Sequence, residues 1–261
     1  GWSGEYDWIG RVPYEELPHR LRPTSGRMVN ANNRPVPDDY PHLIAATFPA
    51  GYRAKRIGQR LDEIAPSTAE VADMEEIQVD AISTMVHDLL PILLNTTQPR
   101  TDRAGRVIDL LRAWDGSMNR DRPEPLLFLS WLDFVKEAAL KDELGGVYSA
   151  YRGGRPKLIR QILTNWQAWC DVTTTTTVES CAAITSDALE RSLDWLAERP
   201  ETSGDDPSQW RWGDFHRAQF THPLFNLIPG LSSLTKVEIE SDGSDHTVNR
   251  GAYRSARGRQ P

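Results

Sequence analysis

The sequence is short of several things. It has two cysteines and four methionines in 261 residues. No uninterrupted run of about 18 apolar residues occurs, so no membrane-spanning helix is predicted. Basic charge is scarce too: the net charge is −7, and the basic clusters are confined to 53–60 and the 250–259 tail. A nucleic-acid binder would be expected to carry a basic face, so neither nucleic acid nor a membrane is an expected partner. There is no Gly-x-Ser-x-Gly elbow and no phosphate-binding glycine loop. The chain begins at Gly1, which has neither hydroxyl nor thiol and so cannot be an N-terminal nucleophile. Six histidines are present, but His216 and His222 are six apart and do not share a helix face, while His19, His42, His87 and His246 stand alone. No zinc site is expected, and the acidic residues read as solvated helix faces.

What is there is ordinary soluble composition, 39% hydrophobic and 26% charged, in a length ample for one large core. Cys170 and Cys181, eleven apart across a threonine run, fit one disulfide closing a small loop in an oxidising compartment. Two buried thiols are the alternative.

Three regions follow from the pattern. Residues 1–48 are rich in Trp, Gly, Pro and Asn. Their short apolar pieces at 8–9, 12 and 28–29 read as strands joined by turns, and Pro13, Pro18, Pro23, Pro35, Pro37 and Pro41 forbid a long helix. Residues 49–222 carry helical periodicity. Helices are expected over 52–65, from a Ser67-Thr68-Ala69-Glu70 start through to Pro91, and over 101–114, 125–144, 156–170 and 180–197. Thr173–177 reads as loop, Gly153-Gly154 as a turn, and Asp206-Pro207 as the opening of a last helical segment reaching Phe220. Residues 223–261 return to Gly, Pro and Ser, with strands expected at 236–239 and 246–249. The fold class expected is α+β, predominantly α: a helical insertion flanked by short strands.

One segment stands out chemically, Asn30-Ala31-Asn32-Asn33-Arg34-Pro35. It reads either as a turn, since Asn tolerates left-handed backbone, or as a fixed N–H donor that could steady an oxyanion.

A resemblance widens that reading. Tyr6-Asp7-Trp8-Ile9-Gly10, Pro13, Leu17-Pro18, Pro23, Ser25-Gly26 and the Asn segment resemble the large (β) subunit of the penicillin acylase (penicillin amidase) family. In the same order, Tyr52-Arg53-Ala54-Lys55-Arg56-Ile57, Gln78-Val79-Asp80, Leu89-Leu90-Pro91, Trp114-Asp115-Gly116, Trp210-Arg211-Trp212-Gly213 with His216, and His246-Thr247-Val248-Asn249 also resemble it. The resemblance implies an αββα N-terminal nucleophile (Ntn) hydrolase sandwich and cleavage of N-acyl amides. Substrates would be β-lactam side chains, acyl-homoserine lactones or acylated peptides. The acyl-enzyme would form on an N-terminal Ser lying upstream of Gly1.

By position, the oxyanion-binding carboxamide corresponds to Asn32, with Asn33 one register away, and the active-site arginine to Arg53, with Arg56 its rival. Ala31 falls in the substrate pocket, where some relatives carry Trp. The family often holds calcium, but where an acidic ligand would follow the Asn segment this chain has His42-Leu43-Ile44, so calcium is an expectation only for the intact protein. The resemblance implies the rest of the large subunit and the small (α) subunit as partners, a periplasmic or secreted location, and a fragment inactive alone with its helical middle best ordered. A non-catalytic helical interaction module of the same shape is the alternative.

Overall fold

The computed structural model describes residues 2–5, 7–64, 68–151, 155–202, 204–222, 224, 225, 228, 230, 231 and 235–250. Eight α-helices occur among them: α1 (Tyr52–Asp62), α2 (Val71–Gln78), α3 (Thr84–Thr96), α4 (Asp102–Arg112), α5 (Glu124–Leu144), α6 (Pro156–Thr164), α7 (Cys181–Ala197) and α8 (Trp212–Phe215). Strands β1 (Arg217–Phe220) and β2 (Val237–Glu240) pair antiparallel, with Arg217 opposite Glu240 and Phe220 opposite Val237. The molecule is α+β and predominantly α. This ribbon is the one sheet among the described residues.

The helices start where local chemistry provides for their free N–H groups. The Ser83 hydroxyl accepts from Val86 N, Thr101 from Ala104 N and Ser180 from Ala183 N. Glu70 and Asp73 form a reciprocal capping box at the head of α2, in place of the hydroxyl cap expected there; Ser67 lies outside the described residues, as does the Gly153-Gly154 turn. The single stripe read through to Leu89 is two helices, because the chain breaks at 79–83 and restarts at Ser83. Pro91 does not end α3, which continues to Thr96. Its ring faces solvent, and only one backbone donor is lost.

The core is built around α5, whose Pro125 sits in the first turn and whose side chains are buried on every side from Leu126 to Leu140. Its most extensive packing is against α7. Small hydroxyl residues buried on α7 satisfy themselves on their own helix: Thr185 donates to Cys181 O at 2.8 Å, Ser186 to Ala182 O at 2.6 Å and Ser192 to Leu189 O at 2.7 Å. Trp131 on α5 crosses the gap to donate to Thr185 O at 2.9 Å.

Cys170 and Cys181 form the expected disulfide, with Cα atoms 5.0 Å apart, joining the 3-10 turn Gln167–Cys170 to the head of α7. The threonine loop between them is organised by Glu179, whose carboxylate accepts from Val172 N and from the Thr175 and Thr177 hydroxyls.

Three expectations are corrected. The strands expected at 8–9, 12 and 28–29 do not form. Apart from the 3-10 turn Tyr14–Glu16, the described part of 2–48 has no helix or strand, because its extended pieces find no ladder partner among the described residues. The segment opening at Asp206-Pro207 is a 3-10 turn followed by the four-residue α8, and Phe220 belongs to β1. Residues 246–249 form a turn instead of a strand, its Thr247 hydroxyl taken up by Ser244 N, Ser244 O and Asn249 O.

Candidate functional site

Three asparagines stand within four positions, and the structure uses them differently. Asn30 Oδ1 accepts from Asn32 N at 2.9 Å, and Asn33 Oδ1 accepts from Ala31 N at 3.1 Å. These two side chains fold the turn upon itself. Asn32 holds the left-handed backbone, φ +62°, which Asn tolerates better than other residues with a Cβ. Its side chain is therefore not needed by the turn.

The Asn32 carboxamide is fixed from outside the loop. Gly51, at φ +78°, turns the chain into α1 and places Arg53 at its second position. Arg53 Nη2 donates to Asn32 Oδ1 at 2.7 Å and to Ala31 O at 2.9 Å. A guanidinium has no acceptor, so the carboxamide oxygen must face it and the NH2 must face away. Among the described residues that NH2 donates to nothing. Ala31 is buried beneath the loop and Asn32 is exposed above it. Arg56, the rival arginine, goes elsewhere: it clasps Asp80 through Nε (2.9 Å to Oδ1) and Nη2 (2.6 Å to Oδ2).

Beside Arg53 lies a partly buried polar layer. Tyr52 donates to Asp88 Oδ2 at 2.7 Å, and Arg160 donates to Asp88 Oδ1 at 3.1 Å. Burial first, then the bond to Asp88, pushes the Tyr52 phenol above its ordinary range. The His246 ring meets Tyr52 edge-on at 5.7 Å. Burial, then the charges of Lys136, Arg53 and Arg250, push the His246 imidazole down to about 4, so it is neutral at pH 7. Burial raises the neighbouring Asp245 carboxyl, against the opposing effect of Arg250 at 3.7 Å. Burial also lowers the Arg53 guanidinium, helped by Arg250, without threatening its charge.

The other sequence candidates are structural. Trp210 and Trp212 donate their indole N–H groups to Gly204 O and Gly243 O, and His216 stacks on Trp212 at 4.6 Å while donating Nδ1–H to Ser241 O at 2.6 Å. This motif pins the 241–249 segment to the helical body. In the Trp114-Asp115-Gly116 turn, a Cβ on Gly116 would stand 2.9 Å from His87 Nε2. His222 stacks on Phe225, and His42 pairs with Glu16 at 2.5 Å.

No group of three or more His, Cys, Asp or Glu side chains able to hold a metal occurs among the described residues. No described helix is long and apolar enough to cross a membrane. Two clefts, of about 840 and 300 Å³, lie against α4, and neither is lined by Asn32 or Arg53.

Reading the sequence alone missed two groups. Asp80 reads from the sequence as a solvated acid, yet its side chain is 7% exposed. His246 reads as a lone histidine, yet its ring meets Tyr52. In both cases burial depends on chain segments far off in sequence, although Asp80 and His246 each fell inside a motif noted for other reasons.

The chain is 27% identical over 254 residues to the penicillin acylase 2 proenzyme of Pseudomonas sp. (strain SE83), covering 94% of this chain and 31% of that protein. It is 24% identical over 273 residues to the acyl-homoserine lactone acylase QuiP of Pseudomonas syringae pv. tomato, covering 95% and 32%. Over 118 residues it is 30% identical to penicillin G acylase of Escherichia coli, 44% of this chain and 14% of that one. The chain thus spans about a third of the length of the first two. The penicillin amidase family model matches residues 1–260, and with that match over nearly every residue the chain belongs to the penicillin amidase family.

Proposed function

We propose that this chain supplies the oxyanion-binding carboxamide, Asn32, to an enzyme that hydrolyses N-acyl amides. The observation that carries the reading is the double grip of Arg53 on Ala31 O and Asn32 Oδ1. It leaves the NH2 of Asn32 turned away from Arg53 and unspent, which is what stabilising a developing alkoxide requires. In this reading the acyl group passes from the amide to an N-terminal Ser outside these 261 residues, and then to water. Arg53 acts by holding Asn32, and Ala31 forms the floor of the substrate site. The rest of the large subunit and the small subunit complete an αββα sandwich around the Asn32 loop, the 261 residues alone are inactive, and the protein works in the periplasm or outside the cell. Substrates are penicillins, N-acyl-homoserine lactones or related N-acyl compounds, as the names of the relatives suggest.

The test is Asn32→Gly in the intact protein, assayed with benzylpenicillin and N-dodecanoyl-homoserine lactone. Glycine accepts φ +62° without strain, so the substitution deletes the donor and spares the backbone, which alanine would not. The expected result is a kcat lowered about 10²–10³-fold, with KM little changed. Normal turnover would end the reading. A non-catalytic interaction module of the same shape is the second reading, and the exposure of Asn32 favours it. Hydrolysis of neither probe by the intact protein would decide for it.

A further inference from the structure

Arg53 can hold Asn32 only if α1 is held at a fixed rotation. At the roughly 5 Å radius of a helix's side-chain shell, a turn of about 12° moves a head group by about 1 Å. A displacement of that size at a reacting centre can cost about 10²-fold in rate. What sets the rotation of α1 is therefore a question about the site, although it is settled by residues that do not touch Asn32.

The answer lies one turn further along. Arg56 points to Asp80, and its fork takes both carboxylate oxygens: Nε at 2.9 and 3.1 Å, and Nη2 at 2.6 Å. This is the planar, two-point geometry that resists rotation, unlike a single charge contact. The pair is shielded, with the Arg56 side chain 17% exposed and that of Asp80 7%. The bond to Asp80 raises the Arg56 guanidinium further above its ordinary range. Arg60, a further turn on, places Nε 3.5 Å from Asp80 Oδ2.

Asp80 is itself held in place. Its Oδ1 accepts from Ile82 N at 3.1 Å, and its carbonyl accepts from Asn249 N at 2.9 Å. One aspartate thus joins α1, the 79–83 link ahead of α3 and the 241–249 segment. That last segment is also the one that sets His246 against Tyr52 at the head of α1. None of these contacts touches Asn32.

We infer that Asp80 is a positioning residue for the oxyanion-binding carboxamide: clasped by Arg56 and backed by Asn249, it fixes the rotation of α1 and so the reach of Arg53 to Asn32. The inference rests on the role proposed above for Asn32. It adds that the acid needed is one that never meets substrate.

The test is a double-mutant cycle in the intact protein, read with benzylpenicillin and N-dodecanoyl-homoserine lactone. Asp80→Asn keeps the shape and removes the charge and one acceptor of the clasp. It should lower kcat about 10–100-fold with KM within about threefold. In the Asn32→Gly background the same change should cost less than about threefold, because the donor that Asp80 positions is already gone. Asp80→Glu, which restores the carboxylate on a longer arm, should recover part of the loss. If Asp80→Asn does not fold, Arg56→Lys replaces it in the cycle, keeping the charge and losing the fork, with the same results expected.

Equal losses in both backgrounds, or a KM effect without a kcat effect, would make Asp80 merely structural and overturn the inference while leaving Asn32 its role. A normal kcat in Asp80→Asn overturns it as well. A normal kcat in Asn32→Gly overturns the oxyanion reading itself, and the positioning role with it.

Discussion

The first 48 residues and the helical body that follows treat apolar side chains in opposite ways. In the body, Leu89, Leu132 and Trp212 are almost wholly withdrawn from water. In the arm, Trp2, Trp8, Ile9, Tyr14, Leu21 and Leu43 stand out in solvent, and the described backbone makes one 3-10 turn and no strand. Few ties bind the arm to the body: the Arg27–Asp62 ion pair and the Arg53 clamp on the Asn32 loop are the clearest. The contrast follows from what each element needs. A helix closes its backbone hydrogen bonds within itself and asks only for a partner on its apolar stripe. An extended segment must find a second strand before it has any structure to stabilise. The body completes itself within this chain, whereas the arm presents chemistry but does not bury it.

Stability measurements on the 261-residue chain can break or sharpen that contrast. The largest effect is expected from Leu132→Ala on α5, where side-chain exposure is 1%. Loss of its packing should lower unfolding free energy by about 3–4 kcal/mol in denaturant titration. Opening the Cys170–Cys181 bridge with Cys170→Ser and Cys181→Ser together should cost about 3 kcal/mol, given the short loop it closes. Two free thiols in denatured, oxidised wild-type chain would show that the bridge does not form in solution.

A smaller effect should come from pH. His246 is held neutral in the folded state, with its pKa lowered to about 4 from an ordinary 6.5. Between those values the unfolded chain binds more protons, so stability is kept above about pH 6.5 and falls as the pH drops toward 4. The loss attributable to His246 should be about 1–2 kcal/mol after discounting its partial exposure, and His246→Gln should flatten it. Asp245, raised by burial, binds protons more readily when folded and opposes the trend at the acid end.

The smallest effect is expected in the arm. Trp8→Ala should change unfolding free energy by less than about 0.5 kcal/mol, since its side chain is fully exposed. A loss rivalling that of Leu132→Ala, or one that grows with protein concentration, would show that the arm packs, against itself or a second copy.

Legibility in the sequence followed the same divide. The helices at 52–62, 102–112, 124–144 and 181–197 were readable because periodicity, caps and the Gly145 stop are all local. The break at 79–83 is not legible in the sequence because Ile77 and Ile82, on either side of it, read as one continuing apolar stripe. The strands expected in the arm were misread because alternation announces a strand without providing its neighbour. Phe220 was placed in a helix since its aromatic spacing suited one, but its partner Val237 lies beyond the reach of any local pattern.

Taken alone, then, the sequence determined most of the helix positions, a cysteine spacing that fits a disulfide, and the segment that offers a carboxamide. Each of these depends on residues within about a dozen positions of one another. Only the tertiary structure decided that Asn30 and Asn33 fold the turn while Asn32 is left to Arg53, that Arg56 serves Asp80 instead, and that Asp80 and His246 are buried. The two arginine choices were settled across 21 and 24 residues, where hydrogen-bond geometry and burial select among side chains that a linear pattern treats as equals.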